Sequence, residues 1–176
     1  VAIAIAGLTV LQSVSAHYQL TYPQSRGFNE DREPTAPCGG FDSVSSRSQF
    51  PLQNGFVQIN SGHTDYTYEV KLVTNSTNPT ASDFTSAPTV AKGSRNYPAD
   101  ACLPIDLGNV QGLSAGTNAT IQVVYDGGDG LLYQCADVTL AENPSSFNTT
   151  ACVNADGSNP TAAPSNGGSD ESGASG

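Results

Sequence analysis

Ala119-Thr120-Ile121-Gln122-Val123-Val124-Tyr125 and Leu131-Leu132-Tyr133-Gln134-Cys135-Ala136-Asp137-Val138-Thr139-Leu140 flank the turn Asp126-Gly127-Gly128-Asp129-Gly130. Two runs rich in β-branched and aromatic residues around a Gly-rich turn spell a β-hairpin. Outward from it, Tyr66-Thr67-Tyr68-Glu69-Val70-Lys71-Leu72-Val73 reads as a half-buried strand. Gly55 to Ile59 alternates toward Ser61-Gly62-His63, and Cys102 to Leu107 is a further short strand. His17-Tyr18-Gln19-Leu20-Thr21-Tyr22-Pro23 makes the first strand, which Pro23 ends or places at an edge. Residues 74–100 read as a long polar connection, and residues 24–42 as a loop pinned by Cys38. Within that loop, Glu30-Asp31-Arg32-Glu33 reads as a solvated run. No stretch sustains a helical period with caps. The sum is an all-β fold: an antiparallel β-sandwich, immunoglobulin/fibronectin-like and of Greek-key type, with about seven strands.

Composition sets the compartment and excludes partners. Six basic residues stand against sixteen acidic ones, a formal charge of −10. That argues against nucleic acid, which is bound through basic patches. Four cysteines, Cys38, Cys102, Cys135 and Cys152, imply two disulfides in a secreted protein, with three pairings open. None forms a C-x-x-C, so a zinc–thiolate site is not expected. Asn75, Asn118 and Asn148 begin N-x-S/T sequons, which mark solvent-facing backbone in exported chains.

The two ends read differently from the middle. Residues 1–16 read as a signal peptide whose beginning is missing, with an apolar run Ala2 to Leu11 too short to cross a bilayer. Val14-Ser15-Ala16 fits the small-residue rule for signal-peptidase cleavage, making His17 the first residue of the mature protein. Residues 17–153 form the folded domain. Residues 154–176, rich in Ser, Gly, Pro and Asn, read as a disordered stalk. The small residues Ser172 to Gly176 suit attachment of a glycolipid anchor, although no hydrophobic tail follows them in this sequence. The expected location is extracellular, anchored to the outer face of the plasma membrane.

A terminal His17 offers its α-amine and ring Nδ1 to one metal ion. The chain has one other histidine, His63, in the polar turn Asn60 to Asp65. Two imidazoles and an amine suit copper, with zinc and nickel as alternatives. A further protein ligand would be a carboxylate, a Tyr or a backbone group. Asp137 lies inside a strand, where Asp is disfavoured and burial without a partner is costly. Asp126 has the better position if the hairpin turn meets the first strand, although Asp126 and Asp129 also suit turn geometry alone. No G-x-S-x-G is present, and no third His for a facial triad.

His17 to Pro23, Pro37-Cys38-Gly39-Gly40-Phe41, Asn118 to Ile121 and the block Asp126 to Asp137 resemble the fungal copper-acquisition-factor-like proteins, relatives of the lytic polysaccharide monooxygenases that share their fold. The resemblance covers about residues 17–153. It implies a copper site of the His17 amine and ring, His63 and one Asp, Asp126 or Asp137, with no catalytic turnover. It also implies disulfides Cys38–Cys135 and Cys102–Cys152. The expected partners are the copper ion and a copper importer at the plasma membrane, with the protein a monomer. Leu132 stands three residues before Cys135, where many of the oxidative enzymes carry an axial Tyr; Tyr133 is one place off. A copper-dependent polysaccharide monooxygenase is the runner-up, and a metal-free cell-wall module the third reading.

Overall fold

The computed structural model describes residues 17–160. The expected signal segment, the cleavage site and the tail from 161 lie outside the described residues. Among the described residues, eight strands form two sheets: β1 (Tyr18–Tyr22), β2 (Ser48–Pro51), β3 (Phe56–Ser61), β4 (Tyr66–Thr74), β5 (Thr89–Arg95), β6 (Ala99–Pro104), β7 (Asn118–Asp126) and β8 (Leu131–Ala141). One sheet runs β1-β3-β6, the other β2-β8-β7-β4-β5. This is the expected β-sandwich.

The β7–β8 hairpin is the spine of the larger sheet, paired from Asn118↔Thr139 to Asp126↔Leu131. Its inward positions Ile121, Val123, Tyr125, Ala136, Val138 and Leu140 are buried against Tyr18, Leu20, Val57 and Ile59 of the other sheet. Three tyrosines stack through that core. Tyr125 lies between Tyr18, 4.6 Å away centroid to centroid, and Tyr66, at 4.7 Å. Such offset ring pairs add to the burial of their area.

The structure corrects the reading of residues 74–100 as a plain polar connection. They contain a short helix, α1 (Ala81–Thr85), and the whole of the edge strand β5, which pairs with β4. Its only buried residues are Val90 and Ala91, while Thr89, Lys92 and Ser94 are exposed. Strand β2 was also not expected; it runs parallel to the end of β8 from Ser48↔Val138 to Pro51↔Ala141.

Two disulfides, Cys38–Cys135 and Cys102–Cys152, are the pairs that the family resemblance implies. The first ties the 24–42 loop to β8. The second ties the end of the domain to β6. The chain stays fastened past residue 153: Asn154 Oδ1 accepts from Cys102 N at 2.8 Å, and Ala155 N donates to Asp100 O at 2.8 Å. The sequon residues Asn75, Asn118 and Asn148 are all exposed.

Candidate metal centre

The pairing of β1 with β3 brings the two histidines to one end of the smaller sheet. Tyr18 faces Ser61 in register, and Gly62 N donates to His17 O at 2.9 Å, one step beyond the ladder. His17 therefore immediately precedes β1, and His63 follows β3 by two residues. The turn holding His63 is fixed by Ser61, whose Oγ donates to His63 O at 2.9 Å and accepts from His63 N at 3.1 Å. The same hydroxyl bonds the Tyr125 phenol at 2.6 Å, tying the turn to β7 in the opposite sheet. Burial first, with smaller contributions from Asp129 and Glu33, raises the Tyr125 phenol above its ordinary pKa and keeps it neutral.

The β7–β8 turn packs directly on the His63 ring. A Cβ on Gly127 would lie 2.0 Å from His63 Cδ2 and 2.7 Å from Nε2, so glycine is what lets the ring sit there. His63 Nε2 is buried and has no hydrogen-bond partner in the structure. The nearest acid is Asp129, whose Oδ1 is 3.6 Å from it, too long for a hydrogen bond. A buried imidazole nitrogen without a partner is unusual. Together with a facing carboxylate it fits a bound cation.

His17 meets a different group. Its Nδ1 is 2.5 Å from Glu33 Oε2, and its Nε2 is 3.7 Å from the exposed Glu30. Glu33 is 1% exposed, which corrects the reading of residues 30–33 as a solvated run. Its other oxygen accepts from Gln134 Nε2 at 2.7 Å. Gln134 also donates to Tyr18 O at 2.7 Å and accepts from Leu20 N at 2.9 Å. One buried amide thus joins β8, β1 and the loop. Burial pushes the Glu33 carboxyl above its ordinary pKa, against the lowering effect of its bonds to His17 and Gln134. No local pattern distinguishes Glu33 from its charged neighbours; its burial comes from the wrapping of the loop.

The two aspartates singled out in the sequence are otherwise engaged. Asp137 is buried in an ion pair with Arg26, Nε to Oδ2 at 2.8 Å and Nη2 to Oδ1 at 2.9 Å, and Thr120 donates to Oδ1 at 2.7 Å. The partner that a strand aspartate requires is therefore Arg26, and the pair fastens the 24–42 loop to the outer face of β7 and β8. Asp126 accepts from Gly128 N at 2.8 Å, a turn-forming bond of the kind Asp makes in tight loops. Of the hairpin acids, Asp129 is the one that faces His63. Among the described residues no three His, Cys, Asp or Glu side chains converge into a closed metal cluster. The donors are two separate pairs, His17 with Glu33 and His63 with Asp129.

A model of the family described as "Copper acquisition factor BIM1-like" matches residues 15–157. The protein called copper acquisition factor BIM1 in Cryptococcus neoformans var. grubii is 39% identical over 153 residues, which span 82% of this chain and 69% of that protein. Its counterpart in Cryptococcus neoformans var. neoformans is 40% identical over 76% of this chain and 64% of its own length. The chain thus spans about two-thirds of the length of these relatives. A lytic polysaccharide monooxygenase-like protein X325 of Yarrowia lipolytica is 29% identical over 88% of this chain and 60% of that protein. Among solved structures, the catalytic domain of the LPMO Lmo2467 from Listeria monocytogenes superposes with a TM-score of 0.51 at 14% identity, covering 72% of this chain and all of that one. That likeness concerns the fold.

Proposed function

The chain belongs to the BIM1-like copper acquisition factor family, and from that premise we propose that it is a secreted, surface-anchored copper(II)-binding protein that captures copper as cargo. The observation that carries the reading is the buried, unpartnered Nε2 of His63 opposite Asp129. In this reading, cleavage after Ala16 frees the His17 amine. The ligands are then that amine, the His17 ring, His63 Nε2 and the Asp129 carboxylate. Asp129 replaces Asp126 and Asp137 as the favoured acid, because their oxygens serve the turn and Arg26. Copper supplies a Lewis-acidic, redox-active centre when bound; the protein supplies three nitrogens and a hard oxygen, a set that favours Cu(II) over Cu(I). His63 is held in place for the task by Ser61 and Gly127, and the Tyr125 network fixes the turn from beneath.

The role is non-catalytic in this proposal: Leu132, a buried core residue, occupies the position of the axial Tyr of the oxidative enzymes. N-glycans on Asn75, Asn118 and Asn148, a glycolipid anchor beyond the 154–176 stalk, a monomeric state and delivery to a copper importer complete the proposal.

The test is electron paramagnetic resonance of the protein beginning at His17, with one equivalent of Cu(II), beside His63→Ala, Asp129→Asn and Asp126→Asn. A single spectrum with nitrogen couplings, altered by the first two changes and kept by the third, supports the reading. A wild-type spectrum matching that of His63→Ala overturns the two-histidine site. Oxidised sugars released from polysaccharide with a reductant overturn the non-catalytic role.

A further inference from the structure

We propose that the His17–Glu33 contact is an autoinhibitory latch: in the copper-free protein the buried carboxylate occupies the ring nitrogen that the ion needs, so capture of copper has to displace it and release lets it close again. This inference rests on the copper-binding reading above and adds the regulation of that same site.

A terminal histidine chelates through its α-amine and its ring Nδ1. Glu33 Oε2 lies 2.5 Å from that Nδ1, so one proton is held between the two atoms. An imidazole nitrogen coordinates a metal only without its proton. Nδ1 therefore cannot hold Glu33 and copper at once. The second histidine is placed differently. His63 Nε2 has no hydrogen-bond partner, and Asp129 stands 3.6 Å away. One half of the donor set is open and the other is closed. That agrees with the finding that no three ligands converge among the described residues.

The closed half is held from the carboxylate side. Gln134 Nε2 donates to Glu33 Oε1 at 2.7 Å, and Tyr133 N donates to Glu33 O at 2.9 Å. The loop behind it is fastened by the Arg26–Asp137 pair and the Cys38–Cys135 disulfide. The carboxylate does not follow the ring; the ring has to leave the carboxylate. His17 is the freer partner. Its carbonyl accepts from Gly62 N at 2.9 Å, and its side chain is 20% exposed. Chain ends with few anchors move readily. Turning the ring breaks no strand pairing, because the ladder of β1 with β3 begins at Tyr18.

A contact that must break before binding lowers the observed affinity by the fraction of molecules in which it is already open. A hydrogen bond to a charged group holds that fraction to roughly one in ten to one in a hundred. Copper is then bound less tightly than the same donors would bind it without the latch, which suits a cargo that has to leave again. Glu30 does not compete in this way. It lies 3.7 Å from Nε2, the opposite ring nitrogen, and its side chain is 63% exposed, where water screens it. A carboxylate near the ion also attracts it, so the decisive variant keeps the charge of Glu33 and removes only its reach.

The experiment uses the chain beginning at His17, as wild type, Glu33→Asp and Glu30→Asp. Aspartate at 33 is shorter by one carbon–carbon bond, roughly 1.5 Å, and no longer reaches Nδ1. Cu(II) affinity is read by competition with a chromogenic chelator. Association rate is read by stopped-flow quenching of tyrosine fluorescence, the chain having seven Tyr and no Trp. In the copper-free proteins, nitrogen-15 spectra report the His17 Nδ1–H, and thermal melting reports folding. The expected result for Glu33→Asp is a roughly ten- to hundredfold gain in affinity, faster association and loss of the Nδ1–H signal. Glu30→Asp stays within about twofold of wild type. A folded Glu33→Asp that binds copper no better than wild type overturns the latch, and so does an equal gain in Glu30→Asp. A copper-free wild type without a carboxylate-bound Nδ1–H also overturns it, and this measurement decides even where Glu33→Asp does not fold. A wild type with no histidine-bound copper in its paramagnetic resonance spectrum overturns the copper reading instead, and the Nδ1–H signal separates that failure from a failure of the contact.

Discussion

Gly127→Ala isolates the geometry of the centre from its chemistry, because it adds one methyl group and removes no ligand. The new Cβ would fall 2.0 Å from His63 Cδ2, whereas ordinary contact begins near 3.4 Å. The imidazole must therefore retreat by about 1.4 Å, since dispersion turns steeply repulsive inside contact distance. Gly127 is not among the positive-φ glycines, so alanine fits its backbone and the strain falls on the ring. Metal–ligand distances tolerate roughly ±0.2 Å. A displacement several times larger takes His63 Nε2 out of coordination range or forces the turn to open. The expected result is a ten- to hundredfold weaker Cu(II) complex, about 1.4–2.8 kcal/mol. Stability without copper changes by less than about 1 kcal/mol, because the side chain that yields is at the surface end of the fold. Chelator competition measures the first quantity and urea unfolding the second. Wild-type affinity and an unchanged copper spectrum in a folded Gly127→Ala would refute the packing of the hairpin turn on His63 as the feature that sets the site.

Three further outcomes test the supports of the centre. Asp137→Ala strands the buried Arg26 guanidinium, which costs about 3–5 kcal/mol, or roughly 6–20 °C in melting midpoint; copper affinity of the folded protein falls much less than in Asp129→Asn. Replacing Cys38 and Cys135 together by Ser opens a closure spanning 97 residues, costing about 2–5 kcal/mol, and releases the 24–42 loop from β8, so the melting temperature falls. The pH dependence of the copper-free protein carries the signature of Glu33, whose pKa burial raises above the ordinary 4.5. The folded state binds that proton more tightly than the unfolded chain, so its stabilisation is full below pH 4.5 and is lost as pH rises through the raised value. Urea midpoints of wild type relative to Glu33→Gln fall across that rise, and a flat difference contradicts the burial of the acid.

What the sequence revealed depended on how local each signal was. The hairpin and β4 were legible because their alternation and turn chemistry lie within a few neighbouring residues. Strand β5 was hidden because it sits at a sheet edge, where Thr89, Lys92 and Ser94 face solvent and give it the composition of a loop. The parallel strand β2 is four residues long and gains its identity from β8 alone. Asp137 was correctly suspected of needing a partner, but a strand aspartate does not say which of a cation or a metal supplies it. Arg26, 111 residues away in the chain, does. Glu33 and Asp129 looked like a loop acid and a turn acid, and their proximity to the two histidines exists only after the sandwich closes.

The positions of the sequons follow from the same topology. Asn118 opens β7 and Asp126 closes it, nine residues end to end. At about 3.4 Å per residue that separates the two by roughly 27 Å. Asn75 is at the Asn118 end, its amide donating to Asn118 O at 3.0 Å. Glycans on these two residues would therefore project from the end of the larger sheet opposite the turn that packs on His63. The hairpin would thus set two properties at once: its turn packs on His63, and its length would hold any glycans on Asn75 and Asn118 away from that turn.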